Sequence, residues 1–168
     1  MRRRDESGRI RRAEAADAET LASLHGRSRA AYYRNAAAAV PTYLDDRVSW
    51  WLDELLREDA TTWVAEDSRE VVGLVHSGWT TIEDEPHYQL IGLYVAPEQW
   101  ASGVGSALYD VFVSDFAAAG GASALLEVWS RNERAISFYE RRGWSFDGTE
   151  RPAEEGTSYR RMRLAAAT

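Results

Sequence analysis

Two stretches of this sequence carry residues whose types and spacing can do chemistry. The first runs Leu93-Tyr94-Val95-Ala96-Pro97-Glu98-Gln99-Trp100-Ala101-Ser102-Gly103-Val104-Gly105-Ser106-Ala107-Leu108, a strand passing through a small-residue loop into a helix. Glycines at 103 and 105 let main-chain N–H groups approach a ligand closely. The helix N-terminus adds partial positive charge, so the loop suits phosphate oxygens. Close packing of the helix on a sheet would account for the same glycines if nothing else supported a site. A Walker A loop ends in Gly-Lys-Ser/Thr, whereas Gly105-Ser106-Ala107 has no Lys, and a Rossmann fingerprint needs a glycine where Leu108 stands. Both nucleotide motifs fit poorly.

The second stretch is Asn132-Glu133-Arg134-Ala135-Ile136-Ser137-Phe138-Tyr139-Glu140-Arg141-Arg142-Gly143-Trp144. Asn132 suits a helix N-cap, and Tyr139, two turns further along, falls on the same helix face. Read as plain structure, this is a capped amphipathic helix with aromatic core residues, and Phe138 is assigned to the core.

The elements that must position these stretches follow from periodicity. Ile10–Ala13 reads as a short strand, with Asp17 at an N-cap ahead of Leu21, Leu24 and Ala31; Pro41 punctuates. Val48, Trp51, Leu52, Leu55 and Leu56 then repeat with helical spacing, with Asp45, Asp46, Arg47, Asp53 and Glu54 around them. Thr62–Glu66, an Asp67-Ser68 turn and Val71–Trp79 make a hairpin, and His87–Val95 a third strand stopped by Pro97. A helix over Gly103–Ala119 ends at Gly120-Gly121. A strand over Ala124–Trp129, a helix over Arg134–Arg141 and two strand-like runs complete the chain. The order β-α-α-β-β-β-α-β-α-β-β is a mixed α/β layer, a meander followed by a β-α-β crossover.

Composition narrows the class. The 168 residues suit one domain, 10–164, after a basic leader over 1–9 and before a frayed tail over 165–168. A hydrophobic content of 45% with seven Trp provides a core, and the absence of Cys removes disulfides, thiolate nucleophiles and cysteine-ligated zinc. His25, His76 and His87 lack metal-ligand spacing. No apolar run reaches the length of a membrane span and the leader has no hydrophobic segment behind it, so a cytoplasmic protein that binds no membrane is expected. A net charge of −7 argues against nucleic-acid binding and suits a cationic substrate.

Taken in this order, the glycine segment and the Asn-x-Arg-Ala-x-x-Phe-Tyr-Glu-x-x-Gly-Trp segment resemble the two signature regions of the GNAT superfamily of acyl-CoA-dependent N-acyltransferases. The resemblance spans Leu93 to Trp144 and implies a single GNAT-like domain, a mostly antiparallel central sheet flanked by helices. It implies acetyl-CoA as co-substrate, no metal, and acetyl transfer to a primary amine of a small molecule or a peptide N-terminus. In that family the residues matching Leu93, Tyr94 and Val95 offer strand backbone to the pantetheine arm. Those matching Ala101, Ser102, Gly103, Val104, Gly105 and Ser106 wrap the pyrophosphate, the one matching Asn132 contacts the arm, and the one matching Tyr139 protonates the departing thiolate. An amine needs no covalent intermediate, only deprotonation and positioning beside the thioester.

The sequence departs from that pattern twice. Trp100-Ala101 replaces the Gln/Arg-Gly that often opens the loop, and Gln89 stands where many relatives carry Glu and cannot act as a base. Glu127 is the candidate base, since its strand borders the acyl-CoA cleft that the resemblance implies and it matches an acid used by some members that acetylate protein N-termini; an ordinary strand-face Glu in solvent or an ion pair is the equal alternative. Strand alternation sets it on one face with Leu125 and Trp129, opposite Leu126 and Val128. His76 and His87 rank second, since a lone strand-flanking histidine is more often structural. Tyr32, Tyr33, Trp79 and Tyr88 are candidate walls of the amine pocket, though core or rim packing accounts better for most of them. The fold admits a homodimer. A non-catalytic acyl-CoA sensor is the alternative function, favoured only by Gln89; a purely structural domain is a third reading.

Overall fold

The computed structural model describes residues 8–40 and 47–167. Most of the leader, together with Pro41, Asp45, Asp46 and Thr168, lies outside the described residues. In chain order the elements are β1 (Arg9–Arg12), α1 (Ala18–Asn35), α2 (Val48–Leu55), β2 (Ala60–Asp67), β3 (Glu70–Ile82), β4 (Glu85–Val95), α3 (Val104–Ala119), β5 (Ser123–Trp129), α4 (Glu133–Glu140), β6 (Ser145–Pro152) and β7 (Ser158–Ala165). This is the order the periodicity predicts. They form one seven-stranded sheet, β1-β2-β3-β4-β5-β7-β6, antiparallel except where β4 meets β5.

The meander strands are longer than the sequence pattern indicates because their turns are tighter. The β2–β3 turn is Ser68-Arg69 (φ 50° and 71°), one residue later than expected, and the β3–β4 turn is Glu83-Asp84 (φ 52° and 64°). Two consecutive left-handed residues match the twist of the flanking strands, which lets pairing run to the turn. Pro86 consequently lies within β4, opposite Thr81.

Helices cover both faces. Leu108, Phe112 and Phe116 of α3 are buried against the sheet, and a Cβ at Gly73 of β3 would stand 2.8 Å from Leu108 and 2.9 Å from Val104. On the other side Leu21 and Leu24 of α1 and Trp51 of α2 are buried. The α2 stripe is shorter than predicted: the helix has two turns, and Leu52 and Leu56 are 41% and 76% exposed. Asp17 occupies the N-cap position of α1 but does not cap it. Its carboxylate accepts from the Glu14 N–H (2.7 Å) and pairs with Arg11 (2.8 Å), tying β1 to the helix start.

The feature that makes a site is where the sheet fails. Parallel β4 and β5 pair only at Tyr88↔Ala124 and Gln89↔Leu125. Beyond them the register of β4 against β3 jumps from Ser77↔Leu90 to His76↔Gly92, leaving Ile91 as an extra residue. Such a bulge bends its strand and sharpens its twist, and here it coincides with β4 leaving β5.

Candidate active site

The parted edges of β4 and β5 wall a cleft of about 1210 Å³. Backbone polar groups along a parted edge need partners, so the edge is itself a ligand surface. The Ala96 N–H bonds to the Val72 carbonyl (2.8 Å). By strand alternation Leu93 and Val95 therefore turn their polar groups to the open side, and Tyr94 turns its own to β3. The Val95 carbonyl accepts from Ser28 Oγ and Trp100 Nε1, both at 2.9 Å, which fastens α1 and the glycine loop to the end of β4.

The loop is shaped for close approach. Ala101 (φ 62°) and Gly103 (φ 95°) are both left-handed, and the first helical bond runs from the Ala107 N–H to the Gly103 carbonyl at 3.0 Å. The amides at 103–106 precede that bond and are directed outward at the positive end of α3. A Cβ at Gly103 would meet nothing within 4 Å, and one at Gly105 would come no nearer than 3.6 Å, to Val95. Neither glycine is therefore required by packing, and each leaves its space to a ligand. Ala101, Gly103, Gly105 and Ser106 line the cleft, whereas Ser102 and Val104 do not. Ser102 Oγ is turned to the Gln99 carbonyl, 2.5 Å away.

The Trp100 departure has a structural counterpart. The Arg134 guanidinium of α4 sits 3.9 Å above the Trp100 ring, and Arg142 in the turn after α4 reaches Ser106 Oγ at 2.8 Å, so this segment brings cations to a loop that carries none. Asn132 caps α4 by accepting the Ala135 N–H (3.2 Å). Phe138 is half-buried, packed against the core through Tyr109 and Tyr139 and also lining the cleft, with Arg142 3.6 Å over its ring. Tyr139 is buried, with its ring against Phe138 and Trp144, and its hydroxyl makes no hydrogen bond among the described residues. Burial pushes this phenol above its ordinary range, helped by Tyr94 and Tyr109 and opposed by Arg142. At neutral pH it can therefore only donate a proton.

Across the cleft lies an aromatic and arginine-rich wall. Glu127 is exposed and lines it, in an ion pair with Arg151 (2.8 Å). Arg151 lies 4.3 Å over the Tyr159 ring, and the Tyr159 hydroxyl accepts from buried Arg29 at 2.6 Å. Trp129 packs on Tyr33 at 4.3 Å between ring centroids, and Arg131 donates to the Ala36 carbonyl, joining the β5–α4 loop to the end of α1. Tyr32 lines this wall; Tyr33 is buried behind it.

Trp79 and Tyr88 do not reach the cleft. Tyr88 stacks on Phe112 and Phe116 under α3, and Trp79 packs edge-on against it. His76 is fully buried, held by Thr62 (2.9 Å) and Glu54 (2.6 Å), and His87 lies opposite Thr80 away from the cleft. His25, Arg29, Tyr159 and Arg142 line the cleft but were not singled out in the sequence, for their contacts come from distant elements.

Charge is redistributed relative to the whole chain. Despite the net −7, seven arginines line the cleft (Arg29, Arg47, Arg131, Arg134, Arg141, Arg142, Arg151) against two acids, Glu127 and Glu133. This local field favours an anionic ligand, where overall charge pointed to a cationic one. Among the described residues no three His, Asp or Glu side chains gather as metal ligands, and no helix is long and apolar enough to cross a membrane.

Comparison with known proteins bears on this geometry. The profile of the acetyltransferase (GNAT) family matches residues 22–144. Among solved structures, PaiA N-acetyltransferase from Thermoplasma acidophilum, in complex with coenzyme A, superposes with a TM-score of 0.76 at 21% identity over 95% of this chain and 99% of its own. The ribosomal-protein-S18-alanine N-acetyltransferase from Escherichia coli superposes with a TM-score of 0.70 at 19% identity, covering 96% and 95% of the two chains. Nourseothricin acetyltransferase does so at 0.68 and 21%, covering 96% and 99%. No curated protein matches by sequence.

Proposed function

This chain belongs to the acetyltransferase (GNAT) family, and from that premise we propose that it transfers acetyl from acetyl-CoA directly to a primary amine in a ternary complex. The observation that carries the reading is the parting of β4 from β5, with an open phosphate cradle at one end and the unpartnered Tyr139 hydroxyl inside. Acetyl-CoA supplies the thioester. Its pyrophosphate fits the amides at 103–106, with Arg134 and Arg142 close by, and its arm fits the open edge presented by Leu93 and Val95 and Asn132, the cap of α4.

The amine nitrogen attacks the thioester carbonyl; the C–N bond forms, the C–S bond breaks, and the thiolate takes the Tyr139 proton, which solvent then replaces. The amine's own proton leaves through Glu127, directly or by a bridging water. Since Arg151 already holds that carboxylate, the route requires the acceptor or a water to share it. Both a small amine and a peptide α-amine fit a cleft this size; a peptide finds support in the E. coli neighbour's name.

A panel of small amines and N-terminal peptides with acetyl-CoA, read by release of free thiol, tests the proposal. Thiol release with at least one acceptor is expected. Tight CoA binding without release from any acceptor would favour the sensor reading that Gln89, which lines the cleft, keeps in play.

A further inference from the structure

The acceptor wall contains a three-layer arrangement that no step above uses. Gly92 follows the bulge of β4, and its backbone carries no left-handed torsion that would call for glycine. Space calls for it. A Cβ at position 92 would lie 2.7 Å from Cε2 of Tyr94 and within 3.4–3.5 Å of two more of its ring atoms. Residues two apart on a strand share a face, and the Tyr94 ring folds back along that face over residue 92. On its other side His25 stacks with 4.2 Å between centroids and 26° between planes, and His25 is itself backed by Trp50 and Trp51 at 6.1 and 5.9 Å. A flexible side chain ordinarily swings away from an added methyl group; this ring has a buried imidazole behind it.

We infer that Tyr94 is the acceptor-positioning residue, its ring clamped between Gly92 and His25 so that its hydroxyl meets the incoming amine. Tyr94 lines the cleft, and its hydroxyl makes no hydrogen bond among the described residues. Tyr139 on the proposed cofactor side and Tyr32 on the proposed acceptor side line the same cleft as Tyr94, and Tyr94 adds to the upward shift of both phenols. Burial keeps the phenol neutral, so its oxygen is free to accept an amine N–H. His25 serves as a wall, not as a base: burial, with Arg47, Arg29 and His76 adding, drops it to about 3, and neither ring nitrogen has a partner among the described residues.

The inference rests on the acetyltransferase reading, and its test separates the two. With an amine that wild type acetylates, Tyr94→Phe and Gly92→Ala should each raise the acceptor KM about tenfold, one hydrogen bond to a charged group, while CoA affinity by calorimetry stays within about twofold of wild type on the same ground. Gly92→Ala should have little further effect in a Tyr94→Ala background, in kinetics and in thermal melting alike, because the clash partner is gone. His25→Phe should retain most of the acceptor affinity that His25→Ala loses. Wild-type acceptor kinetics in Gly92→Ala, or an equal penalty with and without the Tyr94 ring, overturns the inference while leaving the acetyltransferase reading intact. A wild-type protein that acetylates no amine removes that reading and the inference with it; the melting cycle would then report only packing.

Discussion

The two halves of the cleft are built on opposite plans. The half proposed for the cofactor is backbone: a left-handed loop, the first amides of α3 and an open strand edge, with Arg134 brought in from α4 and Arg142 from the turn after it. The half proposed for the acceptor is side chain: Tyr94, His25, Tyr32, Trp129 and Tyr159, drawn from four elements, the first four meeting ring against ring in pairs and Tyr159 held by Arg29. Main-chain groups bind any molecule carrying the right phosphates and tolerate changes of side chain, whereas an aromatic wall changes shape with each substitution. One scaffold can therefore keep its donor while its acceptor varies, in line with neighbours at 19–21% identity whose names give different acceptors.

Breaking the join between the halves should have the largest effect. Tyr139→Phe keeps the ring packed against Phe138 and Trp144 and removes the proposed proton donor. It should lower kcat by roughly a hundredfold or more with little change in acetyl-CoA affinity. Wild-type turnover in steady-state assays would take Tyr139 out of the chemistry.

Next in size comes the backbone half. Gly105→Val adds a branched side chain where a Cβ meets only ordinary contacts, so the protein should fold and bind acetyl-CoA about tenfold more weakly, the loss of one charge-assisted hydrogen bond. Gly103→Val should add strain of ~1–2 kcal/mol, since its φ is 95°. Calorimetry on folded Gly105→Val decides: unchanged affinity would mean that the phosphates lie elsewhere.

Glu127→Gln probes the side-chain half. With Arg151 already on the carboxylate, the fall in kcat/KM at neutral pH should be roughly fivefold, below the hundredfold typical of a well-placed base. It should shrink at high pH, where the amine arrives deprotonated. Superimposable pH profiles for wild type and variant would assign the proton to water.

The effect most remote from turnover is on stability. His25 sits at about 3 when folded against an ordinary 6.5, so below pH 6.5 the unfolded chain binds a proton that the folded one refuses. Stability present above pH 6.5 is then lost on acidification, at up to ~1.4 kcal/mol per pH unit. Asp17, Glu54 and Asp147 are depressed below ordinary carboxyl values of 3.8–4.5, so their contribution fades only at lower pH. Melting between pH 6.5 and 5 should be flatter in His25→Phe; an unchanged slope would show that His25 takes up its proton in the folded state.

The sequence by itself determined the element order, the glycine loop and the Asn132–Tyr139 helix, because each depends on spacing within one short segment, where periodicity, caps and torsions act locally. It left Glu127 as the best acid without revealing Arg151, twenty-four residues away. It offered Tyr88 and Trp79 both as pocket walls and as core or rim aromatics, and the contacts under α3 match the second reading. Only the tertiary structure decided where β4 leaves β5, which cations lie near a loop that carries Trp100 and none of its own, and that His25 backs Tyr94. Those outcomes depend on the register of a bulge and on rings from separate elements meeting at 4–6 Å, and contacts between residues distant in sequence leave no periodic trace in it.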